Sequence, residues 1–167
     1  FGRLYGHQNL QIQNLARPIR HTICQALLVD IDMKNAHPTL LYWYCGKNSI
    51  EREGLGFYIE NREKCLKELV EIAGEPRDIV KADLLAVING RVKTPGQVQG
   101  YPQWYINYYN NLQDIKARIS VIEPEFFKKA TASKKARNKE GFNIDGTCIN
   151  YVMMDLENKA LMCAYDV

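Results

Sequence analysis

The sequence predicts an α+β chain, and three observations lead there. A continuous apolar run, ICQALLVDID over residues 23–32, has the length and residue types of a buried strand. Four later segments, 62–72, 77–88, 103–122 and 147–165, repeat apolar residues at steps of three and four, the period of one helix face. Glycine and proline breaks such as Gly74, Pro76, Gly96, Gly100 and Pro102 separate these segments.

Composition bounds the rest. The 167 residues are about one domain's length, and 46% hydrophobic with 25% charged residues is ordinary for a globular chain, which excludes a disordered tail. No apolar run is long enough to span a membrane and no signal peptide is visible, so an intracellular protein without a membrane partner is expected. Its place within the cell, nucleus or viral replication site, is left open, as is its oligomeric state. Cys24, Cys45, Cys65, Cys148 and Cys163 are odd in number, scattered and never in a CxxC pair. They read as reduced, mostly buried thiols rather than a disulfide framework or a structural zinc site. A net charge of +3 does not by itself identify a nucleic-acid partner. The chain begins at Phe1 without Met and ends at Val167 within an apolar segment, so a fragment of something longer is expected.

Residues 1–22 mix Gly, Asn and Gln with Arg3, Arg17, Arg20 and His21, an irregular segment that lays several cations near one place before a short strand or helix end. In the strand at 23–32, alternation sends Leu28, Asp30 and Asp32 to one face and Val29 and Ile31 to the other. Carboxylates on an otherwise buried strand are costly unless a metal or a cation compensates them, so Asp30 and Asp32 are candidate metal ligands. Pro38 suits the first turn of a helix and favours an extended His37, which predicts a helix starting over Thr39 to Tyr44.

Asn61 is a plausible cap for the helix over 62–72, with Cys65, Leu66, Leu69, Val70 and Ile72 at helical spacing; Gly74 and Pro76 end it. The helix over 77–88 stops at Asn89-Gly90, a pair suited to a left-handed C-terminal cap. Residues 103–122 place Trp104, Tyr108, Leu112, Ile115, Ile119 and Ile122 on one face of a helix roughly 30 Å long. Its tyrosine-rich start, Tyr101, Tyr105, Tyr108 and Tyr109, suits a half-buried packing face better than a base-stacking surface. Lys128, Lys129, Lys134, Lys135, Arg137 and Lys139 crowd one weakly apolar segment, either a solvated face or a phosphate-contact region. A last helix over 147–165 turns Val152, Leu156, Ala160, Leu161 and Ala164 inward.

Arg77 and Lys81 stand four residues apart and leave one helix face. Such a pair is either a plain solvated face or a polyphosphate clamp, the guanidinium fork binding oxygens bidentately and the ammonium adding a compact charge. The order of parts around it resembles the family A DNA polymerases. Gly2, Arg3, Leu4, Asn9, Leu10, Gln11, Ile19 and Arg20 stand in the order of that family's opening signature. Asp32-Met33-Lys34-Asn35-Ala36-His37-Pro38 resembles motif A, with a proline shared with family B. RDIVKADLLAVING resembles motif B, keeping Arg77, Lys81 and Gly90 while Asn89 replaces a tyrosine. Asp145-Gly146-Thr147 looks like the helix start preceding the last catalytic strand. The departures are closest to the divergent polymerases of large DNA viruses and transposons.

The resemblance implies a partial polymerase palm sheet with a helical fingers subdomain. Residues 1–45 would be a first palm part with motif A, 46–140 the fingers with motif B, and 141–167 a helix returning to the palm before motif C. It implies template-dependent nucleotidyl transfer on primer-template DNA with deoxynucleoside triphosphates, using two Mg²⁺ ions about 3.5 to 4 Å apart. Asp32 would be the shared metal ligand, with Ile31 offering a carbonyl. Asp30 would be a further ligand or the partner of an arginine such as Arg20. Arg77 and Lys81 would act on the triphosphate; His37, Asn35, Asn89 and Gly90 would face nucleotide or template; Arg3, Gln11, Arg17 and Arg20 would hold DNA. A second metal carboxylate is expected beyond Val167. Two other readings stay open: a nucleic-acid-binding remnant without chemistry, and an unrelated metal-dependent phosphotransferase or nuclease.

Overall fold

The computed structural model describes residues 15–24, 35–93, 97, 99–139 and 141–165. Among the described residues every regular element is a helix: α1 (Arg17–Cys24), α2 (Ala36–Lys47), α3 (Glu53–Glu60), α4 (Arg62–Ala73), α5 (Arg77–Ile88), α6 (Gln103–Ile122), α7 (Pro124–Ala136) and α8 (Ile144–Tyr165). The α+β expectation, and with it the palm sheet, is therefore corrected to an all-helical architecture. Ile23 and Cys24, expected to open the strand, are instead the last residues of α1, whose Thr22 hydroxyl donates to the Pro18 carbonyl one turn back at 3.0 Å. The remainder of that predicted strand, including Asp30, Ile31 and Asp32, lies outside the described residues. At the other end the helix expected over 147–165 is present, starting at Ile144, with no sheet among the described residues for it to return to.

The core is built on α6, which packs against α3, α5, α7 and α8. Its buried face carries Tyr105, Tyr108, Leu112, Ile115 and Ile119, joined by Leu41 and Tyr44 of α2, Leu55 and Tyr58 of α3, Leu66 of α4, Leu84 and Ile88 of α5, and Ile149 and Met153 of α8. The tyrosines of α6 are packing residues, as their spacing suggests. The Tyr108 ring lies 5.1 Å from that of Tyr58, and its hydroxyl donates to the Leu84 carbonyl at 3.2 Å, so the buried oxygen keeps a partner.

Polar bolts fix the helix ends. Arg52 precedes α3 without giving it a side-chain cap, and the free N–H of Leu55 is satisfied from α6, donating to Asn111 Oδ1 at 3.1 Å. Asn111 Nδ2 in turn donates to the Glu51 carbonyl at 3.1 Å. Asn35, at φ 58°, starts α2, and Thr39 N–H donates to its carbonyl at 3.1 Å. Pro38 sits in that first turn, where its missing N–H costs nothing. His37 is accordingly helical rather than extended. No helix among the described residues is long and apolar enough to cross a membrane.

Candidate nucleic-acid interface

Arg3, Gln11, Asp30, Ile31 and Asp32, the first DNA contacts and the Mg²⁺ ligands expected from the sequence, lie outside the described residues. Among the described residues no three His, Cys, Asp or Glu side chains converge as a metal would require. Arg17 and Arg20 lie on α1. His37 reaches α8, with Nε2 3.9 Å from Glu157 Oε2.

The expected clamp on α5 is engaged elsewhere. One Arg77 guanidinium nitrogen donates to both Glu63 oxygens of α4, at 3.0 and 2.8 Å, and this pair holds Arg77 toward its neighbouring helix. Its charge and hydrogen bonds act on Glu63 in turn, keeping that carboxyl below the usual carboxylate range. Lys81 stays exposed one turn further along. Asn89 lies twelve residues beyond Arg77, about 18 Å along the axis, so the two ends of the motif serve different neighbourhoods.

The C-terminal end of α5 closes as the sequence suggests and then meets α8. Gly90 takes φ 87°, and Arg91 N–H donates to the Ala86 carbonyl at 2.8 Å, completing a left-handed cap. Asn143 ties this cap to the start of α8. Its Nδ2 donates to the Asn89 carbonyl at 3.3 Å, and its Oδ1 accepts the Gly146 N–H at 3.2 Å. Gly90 and Gly146 meet backbone to backbone: a Cβ on Gly90 would lie 2.5 Å from Asn143 Oδ1 and closer still to Gly146 Cα. Beyond the cap, Asp83 of α5 pins the outgoing chain through Arg91 at 2.7 Å and Lys93 at 2.6 Å. Burial pulls the Lys93 ammonium down, but its hydrogen bonds to Asp83 and Tyr105 outweigh that and hold it above its ordinary value.

This junction fixes the turn between α7 and α8, where the charge of the chain concentrates. Residues 124–139 hold six cations against one acid, Glu125, while the whole chain is only +3, so the rest of it is negative on balance. Lys128 and Lys135, seven residues apart, share the outward face of α7, which buries only Ala130. Arg137 and Lys139 continue onto the exposed turn. Among the described residues no carboxylate pairs with Lys128, Lys135, Arg137 or Lys139. Beside them Phe142 is 68% exposed, with the Lys134 ammonium 5.3 Å from its ring centre. The concentration of cations was legible in the sequence; the helix beneath them and the exposure of Phe142 were not. The usable signals were Pro124 at a helix start and the Phe126–Ala130 step.

The opposite chemistry lines a groove of about 420 Å³ between α3 and α6, where Glu51, Glu53 and Asp114 stand with Asn107, Phe57 and Trp104. Those carboxylates disfavour an anionic ligand in the groove, in contrast to the cationic α7–α8 end.

No family model and no solved structure matches the chain. A curated protein of Sputnik virophage, named "Putative helicase V13", is 28% identical over 172 aligned positions, covering 99% of this chain and 21% of that protein. The chain thus spans about a fifth of its relative's length. These findings correct the polymerase reading: the relative bears a helicase name, no family A polymerase model matches, and the palm sheet is absent from the described residues.

Proposed function

We propose that this chain is a nucleic-acid-binding helical segment of a viral helicase-type protein, gripping the phosphate backbone of a DNA strand along α7 and the turn after it. The observation that carries the reading is the row Lys128, Lys135, Arg137 and Lys139, four exposed cations without a carboxylate partner among the described residues. Cations held on one rigid helix and its capped turn cost little to organise around a polyanion, and each phosphate they meet releases condensed counterions. Similarity over almost the whole chain to a protein named as a helicase supports the same partner, because a helicase must hold the strand it moves along.

Four such contacts predict a slope of log K against log salt of about −2.8 for a single strand. Fluorescence anisotropy of a labelled twelve-nucleotide strand, titrated with the full chain from 50 to 300 mM salt, measures that slope. Lys135→Ala with Arg137→Ala is expected to make it shallower by about 1.4. A slope unchanged by those substitutions, or no binding at the lowest salt, refutes the proposal.

A further inference from the structure

The geometry points to Phe142 as a stacking platform for a nucleobase, so that the α7–α8 turn takes single-stranded nucleic acid in preference to duplex; this rests on the phosphate-contact reading above and deepens it. A fully exposed aromatic ring forgoes about 1.5 to 3 kcal/mol of burial, and this chain has room for aromatics, burying Tyr58, Tyr105 and Tyr108 completely. Phe142 instead stands 68% exposed in the most basic region of the molecule.

The backbone holds it there. Phe142 N–H donates to the Lys139 carbonyl at 3.2 Å, and Lys139 N–H donates in turn to the Lys134 carbonyl at 3.0 Å. On the other side Asn143 is tied to both Asn89 and Gly146. Asn138, Gly141 and Asn143 all take positive φ, between 49° and 74°, so the turn folds tightly back on α7 and presents the ring at its tip. Lys134 sits over the ring, while Arg137 and Lys139 precede it by five and three residues on the exposed turn.

An aromatic face among cations is the chemistry that binds unpaired strands: the cations follow the backbone and the ring takes one base face. In a duplex both faces of each base are already stacked, so the ring gains nothing there without paying for unstacking. The other exposed cation–aromatic pair, Lys47 over Trp43 at 5.8 Å on α2, lacks such a row of unpaired cations and serves as the control.

The test compares a labelled mixed-sequence twelve-nucleotide DNA strand with its duplex, by anisotropy on the full chain at fixed salt. Tighter binding of the strand is expected, with Phe142→Ala weakening it by about 5- to 150-fold, Phe142→Trp retaining it and Trp43→Ala leaving it unchanged. The salt slope should be the same in Phe142→Ala as in the parent chain, because no charge is removed. Circular dichroism confirms that each variant folds; Phe142 is exposed, so its loss removes little packing. Equal affinity for strand and duplex, or a Phe142→Ala chain that binds the strand like its parent, overturns the stacking role. If Lys135→Ala with Arg137→Ala still flattens the salt slope in that case, the phosphate reading survives alone. No binding of either nucleic acid removes both.

Discussion

Replacing Gly90 with alanine tests whether α5 and α8 meet as closely as the structure has them. Two costs add. At φ 87° an L side chain is strained, by about 1 to 2 kcal/mol. The new methyl would also lie 2.5 Å from Asn143 Oδ1 and nearer to Gly146 Cα, against a normal contact of about 3.5 to 4 Å. Gly146 Cα is backbone and cannot rotate away, so the helices must part, an overpacking cost of about 1 to 3 kcal/mol. The stiffer unfolded chain returns roughly 0.4 to 1 kcal/mol, leaving a net loss of about 1 to 4.5 kcal/mol. Gly74 provides the reference: it has φ 65° with nothing within 4 Å of its would-be Cβ. Gly74→Ala therefore carries only the strain and the entropy return, about 0 to 1.5 kcal/mol. Urea unfolding followed by circular dichroism compares the two midpoints, with unchanged m-values confirming that stability alone moved. Equal losses in both variants would show that the Gly90–Gly146 contact does not exist, and the placement of the α7–α8 turn would fall with it.

Asn111→Leu should cost about 1 to 3 kcal/mol, because the buried Leu55 N–H loses its acceptor, and hydrogen exchange at Leu55 should accelerate; an unchanged exchange rate would contradict the α3–α6 bolt. Stability should also fall in alkali. Burial pushes the Cys45 thiol up to about 12 and those of Cys65 and Cys148 to about 11, from 9.0. Each folded pKa lies above its unfolded value, so this contribution is complete below pH 9 and is lost as pH rises toward 11 and 12. A melting temperature that holds steady from pH 8 to 10.5 would refute it.

Three helices were readable with bounds within a residue of those observed, α4, α5 and α6, because each turns one apolar stripe toward the core and ends at a glycine, a proline or both; the last, α8, was read from Thr147, three residues inside its start at Ile144. The helix α3 was hidden by Gly54 and Gly56 within eight residues, and its amide cap comes from Asn111, far along the chain. Helix α7 was hidden because it buries a single alanine, so its pattern is that of a solvated lysine-rich stretch. The engagement of Arg77 within α5 was hidden for a similar reason. The spacing of Arg77 and Lys81 fixes their common face, but Glu63 of α4 decides what Arg77 does, and that pairing is tertiary. Apolar content alone does not separate a buried strand from a helix: Ile19 and Ile23 repeat at one helical turn, and the segment expected to become extended at Ile23 is still α1 there.

Net charge carries less than its distribution does. At physiological salt the screening length is about 8 Å, so a polyanion senses the residues it touches rather than the sum over the chain. The sum of +3 combines a cationic α7 and turn with a negative remainder, part of which lines the α3–α6 groove. A polyanion approaching the groove would meet Glu51, Glu53 and Asp114; one approaching α7 would meet Lys128 and Lys135, which no described carboxylate pairs with. On the proposed function, the same separation would orient a bound strand as well as attract it, because repulsion at one face and attraction at another define a preferred docking direction. Neutralising the groove with Glu53→Gln would therefore relax that direction without adding a contact at α7.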